Sequence, residues 1–334
     1  MYKVEISPKT ILFSVGLIVL IYFIWTIKDL IFSLFIAFII MSALKPSIIW
    51  LEKKKIPRTL SVVTVYLSFV LVFAFLFSLI LPPIVFETHN LFINLPMLVK
   101  NINPSIYSWF NVGSISQYIP TVTSRFFQIA SSVFSNAIFV ISTLFFGFYL
   151  LLQENILQHI VKNFLEDHQV CKVEKALEKA EKQMHAWFWG ELSLMTVVGI
   201  MTFVGLNVIG MKYALALAVL AGLMEVIPNL GPILSAAPAV LIGFSISPLL
   251  GAVVIAMYLI VQQLENNLIV PVIMKNAVGL NPIITLIALV VGGRVGGIIG
   301  VFLAIPAYLF IEVMVIELIL NKKSYGESAD KMRE

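Results

Sequence analysis

From Val226 to Leu264 the chain carries no charged residue, and from Glu191 to Asn321 only eight of 131 residues are charged. So long an apolar stretch folds in a bilayer, where helices satisfy their own backbone groups. Into this hydrocarbon the sequence sets Glu225-Val226-Ile227-Pro228-Asn229-Leu230-Gly231-Pro232. A carboxylate at membrane depth is costly unless it faces a cavity, an ion or a partner. Pro228, Gly231 and Pro232 break the helix beside it and release carbonyl and N–H groups, which is how a transport pathway looks in sequence.

With 60% hydrophobic and only 12% charged residues, the chain lies outside the range of soluble domains. Its net charge of +4 comes from lysines at segment ends. That pattern reads as positive-inside topology, not as a face for nucleic acid. The expected partners are therefore the lipid bilayer and a small polar solute, Na+ or H+. Cys171 is the single cysteine and forms no internal disulfide.

The expected fold class is all-α: a polytopic helical membrane protein with two Gly/Pro-interrupted, re-entrant hairpins in its C-terminal half. Residues 1–86 hold the N-terminal transmembrane helices. The first is the uncharged run 10–27, which is followed by Lys28-Asp29 and no small-x-small cleavage site, and so reads as an uncleaved span. Residues 87–132 form an extracytoplasmic segment, read either as a lid or as a loop lying at headgroup level. Residues 133–152 form another span. Residues 153–190 form a cytoplasmic amphipathic segment in which Val173, Leu177, Ala180, Met184 and Trp187 share a face. That face serves as an oligomer contact or rests on the bilayer. Residues 191–321 are the transport core, with short apolar pieces on either side of Pro228–Pro232 and again on either side of Arg294; 322–334 are a cytoplasmic tail. The lysine-rich connections place both termini in the cytoplasm, in a multi-pass membrane protein.

Glu225 and Asn229, beside carbonyls freed at the break, read either as a site for a cation or proton or as a brace for the hairpin. Tyr258, Gln262, Glu265 and Asn266 fall at i, i+4, i+7 and i+8 and form one polar stripe that lines the pathway or joins helices. Arg294 stands at a hairpin tip or reaches a carboxylate such as Glu225 or Glu312. Pro271 and Pro282 mark further breaks. Gly292, Gly293, Gly296, Gly297 and Gly300 have spacings that let backbones approach closely. No phosphate loop or nucleophile elbow is present, and His89, His159, His168 and His185 lack metal-ligand spacing. The expectation is no enzyme, no cofactor and no metal.

Several ordered stretches carry a resemblance: Lys45-Pro46, Lys55-Ile56-Pro57-Arg58-Thr59-Leu60, Gly210-Met211-Lys212-Tyr213-Ala214-Leu215, 221–232, Gln262-Gln263-Leu264-Glu265-Asn266-Asn267 with Pro271, and Gly279-Leu280-Asn281-Pro282 before the glycine pairs. Together they resemble the AI-2E family of bacterial transporters. The resemblance implies an inner-membrane protein without nucleotide hydrolysis. It implies export of autoinducer-2 in some members and exchange of sodium or lithium for protons in others. It also implies homo-oligomers, pentamers among them. The leading expectation is a secondary exporter of a small polar solute of the autoinducer-2 type. A monovalent cation/proton antiporter is the alternative, and a membrane scaffold the third.

The charge pattern makes a direct prediction. In a Cys171→Ser background, a cysteine near Asn111 is labelled by an impermeant thiol reagent from outside, whereas one near Lys54 or Lys175 is not. External labelling at Lys54 reverses the orientation.

Overall fold

Pro8 fixes the φ of a first helical turn whose N–H has no intrahelical partner, and α1 runs from there to Thr26. The computed structural model describes residues 8–76, 78, 82, 86, 137–153, 167–228, 230–274 and 281–320. The expectations for 87–132, for Asn229 and for the tail lie outside the described residues. Nearly all of α1 is exposed along its apolar side chains, as a span surrounded by lipid is.

Ile27 joins α1 to α2 (Lys28–Lys53) with the hydrogen-bond ladder almost unbroken. Ala37, Met41, Leu44 and Ile48 form the buried stripe of α2, at helical spacing. Each end of the helix carries a lysine over a tryptophan, Lys28 on Trp25 at 4.4 Å and Lys54 on Trp50 at 3.6 Å. Such pairs keep an apolar ring and a charged head together at a membrane surface. Lys55, at φ 68°, then turns the chain into α3, Arg58–Leu76.

The next described helix, α4 (Ala137–Leu152), packs on α2. The Ser33 and Thr143 hydroxyls join across this contact at 2.9 Å, and the Tyr66 hydroxyl donates to the Leu144 carbonyl at 2.6 Å. Arg58 closes the end by donating to the Leu151 carbonyl at 3.0 Å and to Glu52 at 3.3 Å.

The longest element is α5, Asp167–Val208, 42 residues. At 1.5 Å per residue it is about 63 Å long, twice the hydrocarbon thickness. The amphipathic segment and the following span are thus one unbroken helix over its described part. Its first half is tied to α2: Lys45 pairs with Glu181 at 2.5 Å, and His185 and Trp189 both meet the Ala43 carbonyl at 3.1 Å, one turn before Pro46. Its second half supports α6 (Ala214–Met224) and α8 (Pro248–Leu264), and α7 (Gly231–Ile246) packs on those two. The last helix is α9, Pro282–Val315, which continues as a wider π-turn over Ile316–Leu320.

The architecture is therefore all-α and polytopic, with six helices long and apolar enough to cross a membrane among the described residues. Two cores divide it. The first gathers α2, α3, α4, the first half of α5 and the returning arm of α9 around Ile48, Leu151, Met184 and Leu309. The second gathers the rest of α5 with α6, α7 and α8 around Leu206, Leu217, Ile242 and Val254. Glycines set the close crossings in the second core: Gly222 of α6 lies against Met195 and Gly199 of α5, and Gly243 of α7 against Gly251 of α8.

A side chain at Gly222 would put its Cβ 2.6 Å from the Met195 carbonyl oxygen. Gly222→Val therefore costs about 1–3 kcal/mol by forcing α5 and α6 apart. The expected result is a lower midpoint for thermal unfolding in detergent. Gly16→Val, with nothing within 4 Å of the added Cβ, leaves the midpoint unchanged.

Candidate functional site

The break after α6 is built from tight turns. Glu225 caps the helix, its N–H reaching the Gly222 carbonyl, and the Ile227 N–H returns to the Met224 carbonyl at 2.9 Å. The Gly231 N–H then reaches the Ile227 carbonyl at 2.8 Å as α7 begins, with Pro232 in its first turn. Gly231 is required because a Cβ there would lie 1.9 Å from the Met224 carbonyl oxygen. Pro228 and Pro232 supply no N–H, so neither leaves a donor stranded at the break. The folded turn turns Glu225 inward, and only 4% of it is exposed.

Glu265 arrives from α8. Pro271 lacks the N–H that would bond the carbonyl four residues back, and the chain responds with a π-turn over Glu265–Ile269 in which the Val270 N–H reaches the Glu265 carbonyl. The wider turn separates the polar stripe. Tyr258 and Glu265 are buried and Gln262 is half-buried, its amide donating to Glu265 Oε1 at 3.4 Å. Asn266 is turned out and exposed, so the structure does not bring it to the other three.

The carboxyl groups of Glu225 and Glu265 lie within hydrogen-bonding reach of each other. A third, Glu191 of α5, is 8% exposed and acts electrostatically on both. Glu191 Oε1, Glu225 Oε2, Glu265 Oε2 and the Tyr258 hydroxyl are all buried with no protein hydrogen-bond partner. Two carboxylates are both acceptors, so their contact needs a proton or a cation between them. No group of three or more His, Cys, Asp or Glu side chains placed to hold a metal ion is found among the described residues.

Glu191 was not singled out in the sequence. It stands one residue inside the apolar stretch, at the boundary with the charge-rich segment, where it reads as the last charge of a solvated helix. The available signal was its spacing: Ala180, Met184 and Glu191 fall at i, i+4 and i+11 on one face, and the first two are fully buried.

The second reversal is built differently. Asn281 caps α9 by accepting from the Ile283 N–H at 2.9 Å, and Pro282 opens the helix. Gly297 then adopts φ 57°, ψ −135°, a region open only to glycine, and the chain folds back. Gly292 and Gly300 meet across the reversal so closely that a Cβ on Gly292 would lie 2.2 Å from the Gly300 oxygen. Gly293 is looser, 3.3 Å from a Val301 methyl group, and Gly296 faces the ring of Phe32 in α2. Arg294 is exposed near this tip and makes no ion pair with Glu225 or Glu312. Because α9 packs on α2 and α5, its glycines and Arg294 belong with the first core and are not gathered around the Glu225–Glu265 pair.

The profile of the AI-2E family transporter matches residues 12–319, spanning both cores and both reversals. The chain belongs to the AI-2E transporter family. It is 30% identical over 319 residues to YueF of Bacillus subtilis strain 168, covering 89% of this chain and 86% of that protein, which is named as a candidate transport protein. It is 26% identical over 306 residues to YrrI of the same strain, named likewise, covering 87% of each chain. PerM of Escherichia coli K12, named as a candidate permease, is 31% identical over 141 residues, covering 41% of this chain and 40% of PerM. Family membership and the apolar helices make this chain a multi-pass bacterial membrane protein of a transporter family.

The two reversals tolerate change very differently. Gly231→Ala and Gly300→Ala each place a methyl group on a carbonyl of the facing arm, at 1.9 Å in both cases. Each is expected to reduce the monodisperse peak in fluorescence-detected size exclusion, through a loss of about 2 kcal/mol or more. Gly293→Ala meets only a methyl group at 3.3 Å and keeps the peak.

Proposed function

We propose that this AI-2E family member is a secondary transporter whose coupling ion, a proton or a monovalent cation, is held between Glu225 and Glu265. One observation carries the reading: two carboxylates from different helices face each other out of water, beside broken helices. Ionised alone, each would cost several kcal/mol, and a scaffold has no need to bear that cost. An ion that alternates with a proton removes it in both states of a transport cycle.

A pair of acidic side chains within reach of each other suits a proton or a small cation better than an organic solute. The geometry by itself thus favours monovalent cation/proton antiport. Export of a small polar solute of the autoinducer-2 type is supported by the family to which the chain belongs. In that reading the solute takes the neighbouring Tyr258–Gln262 stripe, and the pair supplies proton coupling. Residues 214–246 enter the bilayer as a re-entrant hairpin, since α6 and α7 are about 16 and 24 Å long and the hydrocarbon is about 30 Å thick. The lysine-rich ends of α2 and α5 face the cytoplasm. Assembly as a homo-oligomer, a pentamer being the form the resemblance implies, belongs to the same proposal.

Reconstitution in liposomes tests it, with Na+, Li+ and autoinducer-2 each supplied under an imposed pH gradient. Glu225→Gln and Glu265→Gln keep side-chain shape and remove the titratable group. Both are expected to slow proton-linked transport by about 100-fold, the scale of losing a positioned proton-transfer group, with oligomer size unchanged. Wild-type rates in both variants would remove the pair from the coupling step, and loss of assembly in both would make it a structural brace.

A further inference from the structure

A threonine inside a helix ordinarily gives its proton to the carbonyl four residues back, as Thr143 does to Phe139 and Thr196 to Leu192, each at 2.7 Å. Thr202 of α5 does not. It is 0% exposed and its hydroxyl has no hydrogen-bond partner in the protein, whereas every other buried serine and threonine among the described residues is bonded. A buried hydroxyl without a partner costs free energy, so it calls for a cause.

Its direction is fixed by two glycine contacts. Gly199 of α5 lies against Ala218 and Gly222 of α6, and Gly205 lies against Met257 of α8. Thr202 is three residues from each of them, and three residues carry a helix about 60° short of a full turn. Its side chain therefore stands midway between the two contacts, aimed into the groove between α6 and α8. These are the two helices whose ends carry Glu225 and Glu265. Val198 and Leu206, one turn to either side on the same face, are members of the second core.

The levels follow from the same contacts. Gly205 meets Met257 and Gly190 meets Met274, so α8 runs antiparallel to α5, and Glu265, near the middle of that interval, comes level with Val198. Thr202 lies one turn beyond, about 6 Å nearer the Val208 end of α5. Tyr258, next to Met257, lies at that end too; it is buried and its hydroxyl is likewise without a partner. On α7 the contact of Gly243 with Gly251 puts Ser235 level with Leu259, since each is eight residues from it. Ser235 donates to the Pro232 carbonyl at 3.0 Å, and its oxygen can still accept. Three hydroxyls from three helices thus share one level, on the side of the carboxyl pair away from the lysine-rich half of α5.

We propose that Thr202, Ser235 and Tyr258 form a water-bearing layer through which protons pass between the Glu225–Glu265 pair and the Val208 end of α5. It rests on the reading of that pair as the coupling site. From Val198 to Val208 is about 15 Å, and the core around this length is otherwise apolar, with Leu206, Leu217, Ile242 and Val254 buried there. A cation would take the lone pairs of these hydroxyls and leave their protons without acceptors. Water both donates and accepts, as a hydroxyl does, and fits among packed side chains where a larger solute does not. In each transfer an oxygen accepts a proton on one side and releases its own on the other. Every hydroxyl and water ends with the proton count it began with, and the proton is taken up or supplied by a carboxyl group of the pair.

Two measurements test this on the full-length protein. In proteoliposomes, Na+- or Li+-driven proton movement is followed for wild type, Thr202→Val, Thr202→Ser and Glu265→Gln. Valine keeps the shape of threonine without the hydroxyl, and Thr202→Val is expected to slow turnover by about tenfold or more; Thr202→Ser, which keeps the hydroxyl, retains most of the rate. A wild-type rate in Thr202→Val, with Glu265→Gln slow, overturns the layer and leaves the pair standing. Equal slowing in Thr202→Val and Thr202→Ser also overturns it, because shape and not the hydroxyl is then what matters. A wild-type rate in Glu265→Gln overturns both readings. The second measurement needs no transported ion: radiolytic hydroxyl-radical labelling, read by mass spectrometry, modifies side chains that lie beside bound water. Tyr66 is the control, since it is as buried as Tyr258 but gives its hydroxyl proton to the Leu144 carbonyl. Tyr258 is expected to be modified severalfold faster than Tyr66, and Thr202→Val to remove the difference. Equal modification of the two tyrosines in the wild type, or a difference that Thr202→Val leaves in place, overturns the proposal.

Discussion

In hydrocarbon every backbone N–H and C=O must find its partner within the protein, because no water is present to accept or donate. A helix does this for itself, and a broken helix does not. Each break in this chain is therefore accompanied by a local device. Tight turns carry the chain from Met224 to Gly231, Ser247 accepts from the Leu250 N–H at 3.1 Å, and a π-turn absorbs Pro271. Gly297 reverses the chain in a single residue. Such devices are also the places where a polar side chain is least expensive, since the local structure is already arranged around polar backbone. Glu225 and Glu265 occupy two of them.

The division into two cores follows from α5. A helix about twice as long as the bilayer is thick cannot bury one face in one environment, and its sequence changes character midway. Below Gly190 it carries lysines, glutamates and a narrow apolar face that meets α2 and α9. Above Gly190 it is apolar on most sides and uses small residues to receive α6 and α8. Among the described residues, the ion pairs of α5 lie in its first half, where water weakens them to about 0–1 kcal/mol each. They orient α5 against α2 more than they stabilise it. Close backbone packing in the second half does the stabilising, because apolar side chains gain little by leaving lipid for protein.

How much of this was legible in the sequence depends on how local the cause is. The spans, the break at Pro228–Pro232 and the inward carboxylates follow from composition and from proline and glycine chemistry, and the helices appear where the apolar runs are. The departure of Asn266 from its stripe was not legible, although its cause is local: Pro271 acts back along the helix, and a 3.6-residue period does not allow for a π-turn. The remoteness of Arg294 has no local cause. An arm that is apolar all round gives no periodic signal of which neighbour it meets, and the packing of α9 on α2 was decided by contacts such as Gly296 with Phe32. Glu191 is intermediate, visible only once the face bearing Ala180 and Met184 is known to be inside.

The same reasoning explains why three acids are placed on three different helices and not along one. Carboxylates a turn apart on a single helix move together, so their mutual repulsion is constant through any motion. Glu191, Glu225 and Glu265 come from α5, from the break after α6 and from the end of α8. A small shift of α6 or α8 against α5 changes the separations between them, and in a medium of low dielectric constant such a change alters their interaction steeply. On the proposed reading of the pair, binding or release of an ion there would be coupled to the position of two helices. That is the link a secondary transporter needs between occupancy and access, and it requires no motion within the helices themselves.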